Sequence, residues 1–228
     1  DYGSDATYAI TPDTGYHIAT LTVDGEQKAV QGSWTFEDVA ADHTIAATFA
    51  IDTFAVTVTA GEHGSITPGS GSVDYGSDAT YAITPDAGYY IASLTVDGTP
   101  QTVRSSWTFT KVTAPHTIAA TFAAKVKPSL GTPKSSKATV RVNKSFTVAG
   151  SASAGAAGAP KVRIQVYRLR GTRWVAYTSI STQVVGAKYT AKVKISKTGK
   201  FRFKAYSSAD GTHLAATSSM SKTVTVKK

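Results

Sequence analysis

The sequence predicts an all-β chain: tandem small β domains built on a repeat, followed by an immunoglobulin-like β-sandwich. Three observations predict it. Thr, Val, Ala, Ser, Tyr and Gly dominate the 228 residues while Leu and Glu are scarce, which suits pleated, half-buried surfaces. Short stretches of apolar/polar alternation recur between turn signals rich in Gly, Pro and Asp. No window sustains a 3.6-residue period, so little or no helix is expected.

The repeat organises the first half. Residues 1–50 align without a gap on 74–123, with 37 identities in 50, and DYGSDATYAITPD at 1–13 returns unchanged at 74–86. A period of 73 residues makes the unit a small domain rather than a solenoid turn. Its full form runs from about Ile51 to Ala123, so the first copy lacks a counterpart of Ile51–Val73. Such a copy leaves an unpaired sheet edge. Either the chain is a fragment of a longer protein that begins in mid-repeat, or a neighbouring molecule supplies the strand and builds a fibre.

Within the complete copy, Phe54–Ala60 alternates with period two and is rich in β-branched residues, which predicts a strand. Gly61–Gly64 follows as a turn, Ser65–Thr67 as a short return strand, and Pro68–Ser72 as a loop. Ala79–Thr84 is the next strand, ended by the turn sequence Pro85-Asp86-Ala87-Gly88. Tyr89–Val96 then runs into Asp97-Gly98, a strong hairpin signal. Ser106–Phe109 is a strand bearing Trp107, and His116–Phe122 closes the repeat.

These landmarks, Gly-Ser-x-Ile-x-Pro, Tyr-Gly-Ser-x-Ala-Thr-Tyr, Pro-Asp-x-Gly-Tyr-x-Ile, Val-Asp-Gly, Trp-Thr-Phe and His-Thr-Ile-x-Ala-x-Phe, resemble the divergent internalin-B-type repeats of bacterial surface and secreted proteins. The resemblance covers roughly residues 1–123. It implies compact, mainly β modules joined head to tail, serving as an extracellular stalk or spacer and generally without catalytic residues.

The second half differs in composition and charge. Residues 1–125 hold four basic and fourteen acidic residues, a net of −10; residues 126–228 hold the other twenty Lys and Arg and a single acid, Asp210, a net of +19. Such asymmetry places a boundary near residue 125. Lys125–Lys137, with two prolines and small polar residues, is expected as an extended linker. Seven strand-like segments follow: Ala138–Val142, Ser145–Ser151, Lys161–Arg170, Arg173–Thr182, Lys188–Ile195, Lys200–Tyr206 and Lys222–Lys227. Seven short strands in about 100 residues fit a sandwich of immunoglobulin type. Gly171-Thr172 and Lys197-Thr198-Gly199 are expected as hairpin turns, and Ala149–Pro160 as a mobile loop. Lys-Thr-Gly-Lys-Phe-Arg-Phe-Lys-Ala-Tyr and the closing Thr-Val-Thr-Val-Lys resemble the immunoglobulin-like modules of large secreted Gram-positive proteins. The expected domains are therefore 1–50, 51–124 and 138–228, with 125–137 as linker.

Alternation decides what is buried. Val162, Ile164 and Val166 share a face opposite Lys161, Arg163 and Gln165; Phe201, Phe203 and Ala205 oppose Arg202 and Lys204; Tyr189, Ala191 and Val193 oppose Lys192 and Lys194. Arg163, Lys192, Lys194, Arg202 and Lys204 are thus the expected polyanion-binding residues. Solvation and protection of strand edges by Lys is the other role such residues play.

Motifs for catalysis are missing. The sequence has no Gly-x-Ser-x-Gly elbow, His-Glu-x-x-His, phosphate loop or EF-hand loop. Zero cysteines exclude disulfides, thiolate zinc and thiol catalysis, though not secretion. His43 and His116 recur at one repeat position and are expected to be structural, whereas His17 becomes Tyr90 in the other copy, which argues against a required ligand. The recurring Asp5/Asp78, Asp13/Asp86 and Asp24/Asp97 suit turns more than calcium. Trp34 and Trp107 lie beside Phe36 and Phe109 and are expected in cores. Trp174, after a turn, is the residue open to glycan stacking. A Lys–Asn crosslink lacks partners, since the basic half offers Asn143, Asp210 and no Glu. No apolar run reaches the roughly 18 residues of a membrane helix.

The expected function is a non-enzymatic stalk or adhesin segment, extracellular or on a bacterial cell surface, with no cofactor and no metal. Its basic domain would contact an anionic cell-wall polymer or polysaccharide, or the acidic domains of neighbouring copies, with no specific nucleic acid. Two further readings stand beside it: a carbohydrate-binding accessory region of a larger secreted enzyme, and a self-assembling extracellular filament subunit.

Overall fold

A computed structural model describes residues 2–153 and 158–228. Twenty-three strands carry the described chain. The first repeat holds β1 (Ala6–Ala9), β2 (Tyr16–Val23), β3 (Glu26–Lys28), β4 (Ser33–Phe36) and β5 (Ile45–Ile51). They pair as β1-β4 and as β3-β2-β5 around a small core of Ile10, Leu21, Val23 and Phe36.

The second repeat adds three strands ahead of the same plan: β6 (Thr53–Ala60), β7 (Gly64–Thr67) and β8 (Gly71–Asp74). Then come β9 (Ala79–Pro85), β10 (Tyr89–Val96), β11 (Thr99–Gln101), β12 (Ser106–Phe109) and β13 (His116–Ala124). Its sheets run β11-β10-β13-β6-β8 and β12-β9-β7. Between them lie Val56, Ile66, Tyr81, Ile83, Leu94, Val96, Phe109, Val112, Ile118 and Ala120.

The Asp-Gly turns fold as their sequence demands. Asp24 and Gly25 have φ of 49° and 80°, Asp97 and Gly98 of 48° and 73°, and Val96 pairs directly with Thr99. Two successive left-handed residues match the twist of the flanking strands, so a two-residue hairpin closes here. Two expectations for this repeat change. Ser65–Thr67 does not return on Phe54–Ala60: β7 pairs with β9, while β6 takes β8 on one side and β13, in parallel, on the other. Gly71 and Ser72, expected in the loop Pro68–Ser72, start β8, because Val73 packs against the core and draws the chain back beside Phe54.

Consecutive repeats meet without a free linker. Only Asp52 separates β5 from β6. Its N–H donates to Gly15 O at 2.8 Å, and its carbonyl accepts from Tyr75 N–H at 2.8 Å. Gly15 has φ +82°, and a Cβ there would lie 2.2 Å from the Tyr75 ring, so both conformation and space require glycine. The same bond recurs one period later, Lys125 N–H to Gly88 O at 2.7 Å.

The remaining strands are β14 (Ser129–Leu130), β15 (Lys134–Ser135), β16 (Thr139–Arg141), β17 (Ser145–Ser153), β18 (Lys161–Arg170), β19 (Arg173–Val185), β20 (Lys188–Lys194), β21 (Gly199–Ser207), β22 (Ala216–Thr217) and β23 (Val224–Lys227). All seven expected strands form, as β16 to β21 and β23, and with β14 they run in the order β14-β17-β20-β19-β18-β21-β23-β16. The thirteen-residue β19 joins the two sheets, pairing β18 along most of its length and β20 only through Val184 and Val185. Phe201, Phe203, Ile164, Tyr189, Val193 and Val148 fill the core, each essentially without exposure. The chain is thus all-β, with an immunoglobulin-like sandwich after the repeats.

Residues 125–137, expected as a linker, supply β14 and β15, both paired with β17. Leu130 enters the core, and Gly131 O accepts from the buried Tyr189 hydroxyl, so the segment has partners that its polar composition conceals. Gly171-Thr172 is the hairpin turn expected, with Arg170 opposite Arg173. Lys197-Thr198-Gly199 is not: β20 pairs with β17 and β19 whereas β21 pairs with β18 and β23, so the two strands are not partners and this stretch crosses from one layer to the other. The hairpin lies at Gly186-Ala187, φ 55° and 59°, between Val185 and Lys188. Of the loop expected at 149–160, residues 149–153 continue β17 and 154–157 lie outside the described residues.

Two compact units result. One holds both repeats up to residue 122 except for Asp86–Tyr90; the other holds those five residues with Ala123–Lys228.

Candidate functional site

Strand pairing assembles the basic residues. Register sets Arg163 of β18 opposite Tyr206 of β21, Gln165 opposite Lys204, and Tyr167 opposite Arg202. With period-two alternation, Lys200, Arg202, Lys204 and Tyr206 all point outward along β21, while Phe201, Phe203, Ala205 and Ser207 are buried beneath them. Successive outward cations therefore stand roughly 7 Å apart along the strand. The only carboxylate side chain of residues 126–228 is Asp210.

Aromatic rings hold the cations up. The Arg202 guanidinium lies 4.7 Å from the Trp174 ring centroid, and its Nε donates to Thr223 Oγ1 at 3.1 Å. Lys204 Nζ sits 5.4 Å from the Tyr206 ring and Arg163 Cζ 5.8 Å from it. Each ring offers its negative face to a cation. The Tyr167 and Tyr206 hydroxyls are hydrogen-bonded at 2.5 Å, which, ahead of burial, pushes the Tyr167 phenol up to about 12. At one end of this face a groove of about 510 Å³ is lined by Lys161, Arg163, Ser181, Gln183, Tyr206 and Ser208, among others.

Three of the expected cations, Arg163, Arg202 and Lys204, thus share one face. Lys192 and Lys194 do not join them. They lie on β20, opposite Thr147 and Ser145 of β17, on the outer side of the other sheet. Alternation assigns each residue a side of its strand but not the sheet to which the strand belongs. Lys200, Tyr167 and Tyr206 belong to the assembled face and escaped the sequence reading. Lys200 was legible, since it shares the period of Arg202 and Lys204. Trp174 is half-buried, with one ring face covered by Arg202.

The recurring His and Asp residues build turns. Asp24 accepts from Thr44 N–H at 2.7 Å and faces His43 Nδ1 at 2.8 Å; Asp97 does the same with Thr117 and His116. His43 and His116 stack on Phe36 and Phe109 at 4.6 and 4.4 Å. The Thr44 N–H, then His43, holds the Asp24 carboxyl below the usual range. At Asp97 burial pushes upward, yet Thr117 and His116 outweigh it and the carboxyl stays lowered. Asp5 and Asp78 accept from the N–H groups of Asp38 and Lys111. The exposed His17 pairs with the half-buried Asp52 at 2.8 Å. His213 is buried; its Nδ1 faces Asp210 at 3.0 Å and its Nε2 faces Gly158 O at 3.2 Å. Among the described residues, no three His, Asp or Glu side chains gather as a metal site would need. Trp34 and Trp107 pack half-buried against their cores; Trp107 Nε1 is buried without a hydrogen-bond partner among the described residues, beside Arg104, whose Cζ lies 4.9 Å from the ring centroid. Among the described residues, no helix is long and apolar enough to cross a membrane.

Residues 54–126 match the family model described as the divergent InlB B-repeat domain. No curated protein matches the chain. Similar solved structures include the superoxide reductase (neelaredoxin) of Ignicoccus hospitalis, 17% identical over 44% of this chain and 80% of that one, with a TM-score of 0.28. The FN1–FN3 domains of chicken CNTN1 are 10% identical over 99% and 95%, with a TM-score of 0.32. A chimeric titin Z1Z2 tandem is 11% identical over 78% and 99%, with a TM-score of 0.28.

Proposed function

We propose that this chain is a non-enzymatic spacer and adhesive segment that works outside the cell, and that the outer face of β18 and β21 grips an anionic polymer. The observation that carries the reading is the stripe of Lys200, Arg202 and Lys204, flanked by Arg163, on a domain whose one acidic side chain is Asp210. Repulsion among these cations is unrelieved by any carboxylate of the same face, and a polymer with closely spaced negative charges relieves it. Cation–aromatic contacts hold the guanidinium and ammonium groups in place, which lowers the entropy lost on binding. The linkerless junction at Asp52 supports the spacer role, because it fixes one repeat on the next. The family match over 54–126 supports a surface location.

The test is retention on an immobilised sulfated polysaccharide at low salt. Reversing Arg163, Arg202 and Lys204 together to Glu abolishes retention, whereas reversing Lys192 and Lys194 only weakens it. Equal loss from the two sets would assign binding to bulk charge and reject the face. Glycan stacking on Trp174 is the competing recognition mode: with Arg202 over one ring face, Trp174→Ala leaves retention within about twofold, and a complete loss overturns electrostatic docking.

A further inference from the structure

Neighbouring strands lay out a small polar tile at the Tyr206 end of the basic face. Pairing sets Ser181 of β19 on one side of Arg163 of β18 and Tyr206 of β21 on the other, so the three form one outward row. The next outward row puts Gln183 beside Lys161. Ser208, the residue after β21, closes the groove with them. Strands lie about 4.8 Å apart and alternate residues about 7 Å apart, so the tile covers roughly 10 by 7 Å, the footprint of a disaccharide.

The tile differs in composition from the rest of the face. Along β21, Lys200, Arg202 and Lys204 follow one another at every outward position. In the tile each cation has uncharged neighbours: Arg163 stands between a hydroxyl and an aromatic ring, and Lys161 beside an amide. Among the described residues, the side chains of Lys161, Arg163, Ser181, Gln183 and Ser208 make no hydrogen bond or ion pair with protein. Gln165, the next outward residue of β18, is by contrast already bonded, its amide donating to Thr178 O at 2.9 Å. The Tyr206 hydroxyl is likewise taken, by Tyr167, while its ring stands beside the Arg163 guanidinium.

We infer, resting on the anionic-polymer reading above, that this groove seats a uronic acid unit, so that the polymer is a polyuronate and Ser181 and Gln183 set its specificity. A uronic acid carries one carboxylate and several hydroxyls on a single ring. The Arg163 fork takes the carboxylate through two parallel N–H bonds, and the Ser181 hydroxyl and Gln183 amide take the ring's hydroxyls. A chain of phosphates brings charge without hydroxyls. It would leave the Ser181 hydroxyl and the Gln183 amide desolvated and unmatched, which costs affinity.

The experiment compares the full chain with its Ser181→Ala/Gln183→Ala double variant, which has the same charge, on immobilised polygalacturonate and on immobilised polyphosphate. The double variant is expected to bind polygalacturonate about tenfold more weakly, for the loss of two hydrogen bonds, and polyphosphate within about twofold. Retained polyphosphate binding also shows that the variant is folded. Polygalacturonate binding unchanged by the double substitution, or weakened equally on both polymers, overturns the inference. An unsubstituted chain held by polyphosphate but not by polygalacturonate also overturns it and leaves the anionic-polymer reading in place; a chain held by neither overturns both. Amide chemical shifts need no substitution. Trigalacturonate is expected to move those of residues 161–163 and 181–183 ahead of those of 192–194, and shifts confined to other residues overturn the inference.

Discussion

Asp97 holds left-handed backbone in its turn while its carboxylate ties Thr117 N–H and His116, nineteen residues further on, to that turn. One side chain thereby sets both the hairpin and the start of β13. Asp97→Ala is expected to cost roughly 1–2 kcal/mol, as for a cap that loses its backbone acceptor, read as a lower urea midpoint of the second repeat. Asp97→Asn, which keeps an acceptor and tolerates the left-handed turn, costs less. Asp210 gives a pH test. The Thr212 N–H, then that of His213, against some desolvation, holds its carboxyl at about 2. A carboxyl lower in the folded than in the unfolded chain stabilises fully at neutral pH, and that contribution disappears as pH falls from the ordinary carboxylate range to about 2. Asp210→Asn is expected to flatten this part of the acid dependence of urea unfolding; an unchanged profile would show that the carboxylate does not carry it. The structural role of His43 and His116 was legible from recurrence alone. Their Asp partners were not, because nothing local marks a pairing across nineteen residues.

Strands were read more surely than their neighbours. Period-two alternation located β10, β12 and β18 to the residue, and turn chemistry closed the hairpins at Asp97-Gly98 and Gly171-Thr172. The parallel pairing of β6 with β13 was invisible, since the two lie some sixty residues apart and alternation is indifferent to direction. Lys197-Thr198-Gly199 has turn composition yet crosses between sheets, whereas Gly186-Ala187 turns a hairpin with a residue poorly suited to it. Ala187 has φ 59°, a conformation costing roughly 1 kcal/mol for a residue with a Cβ. Ala187→Gly is accordingly expected to raise the sandwich's unfolding free energy by up to about 1 kcal/mol, a gain trimmed by the entropy of glycine. A lower midpoint for this variant would contradict the assignment of the turn.

For the whole molecule, the division of charge was plain in the sequence: acidic repeats, then a basic sandwich. How the basic residues distribute was not, because Lys192, Lys194 and Arg202 alternate alike while their strands pair into different sheets. The junction at Asp52 makes a molecule-wide prediction. Gly15→Ala drives a Cβ into the Tyr75 ring at a φ of +82°, so it is expected to uncouple the two repeats, splitting one thermal transition into two; a single transition at an unchanged temperature would mean that the repeats are not coupled there. The adhesive claim rests on charge acting at one face, and the dependence of Kd on salt tests it most directly. Between about 0.05 and 0.2 M salt, binding to a polyanion through three or four cations is expected to weaken roughly 10- to 100-fold, and the slope should fall when Arg163, Arg202 and Lys204 are changed to Ala. Binding that is absent, or indifferent to salt, would contradict it.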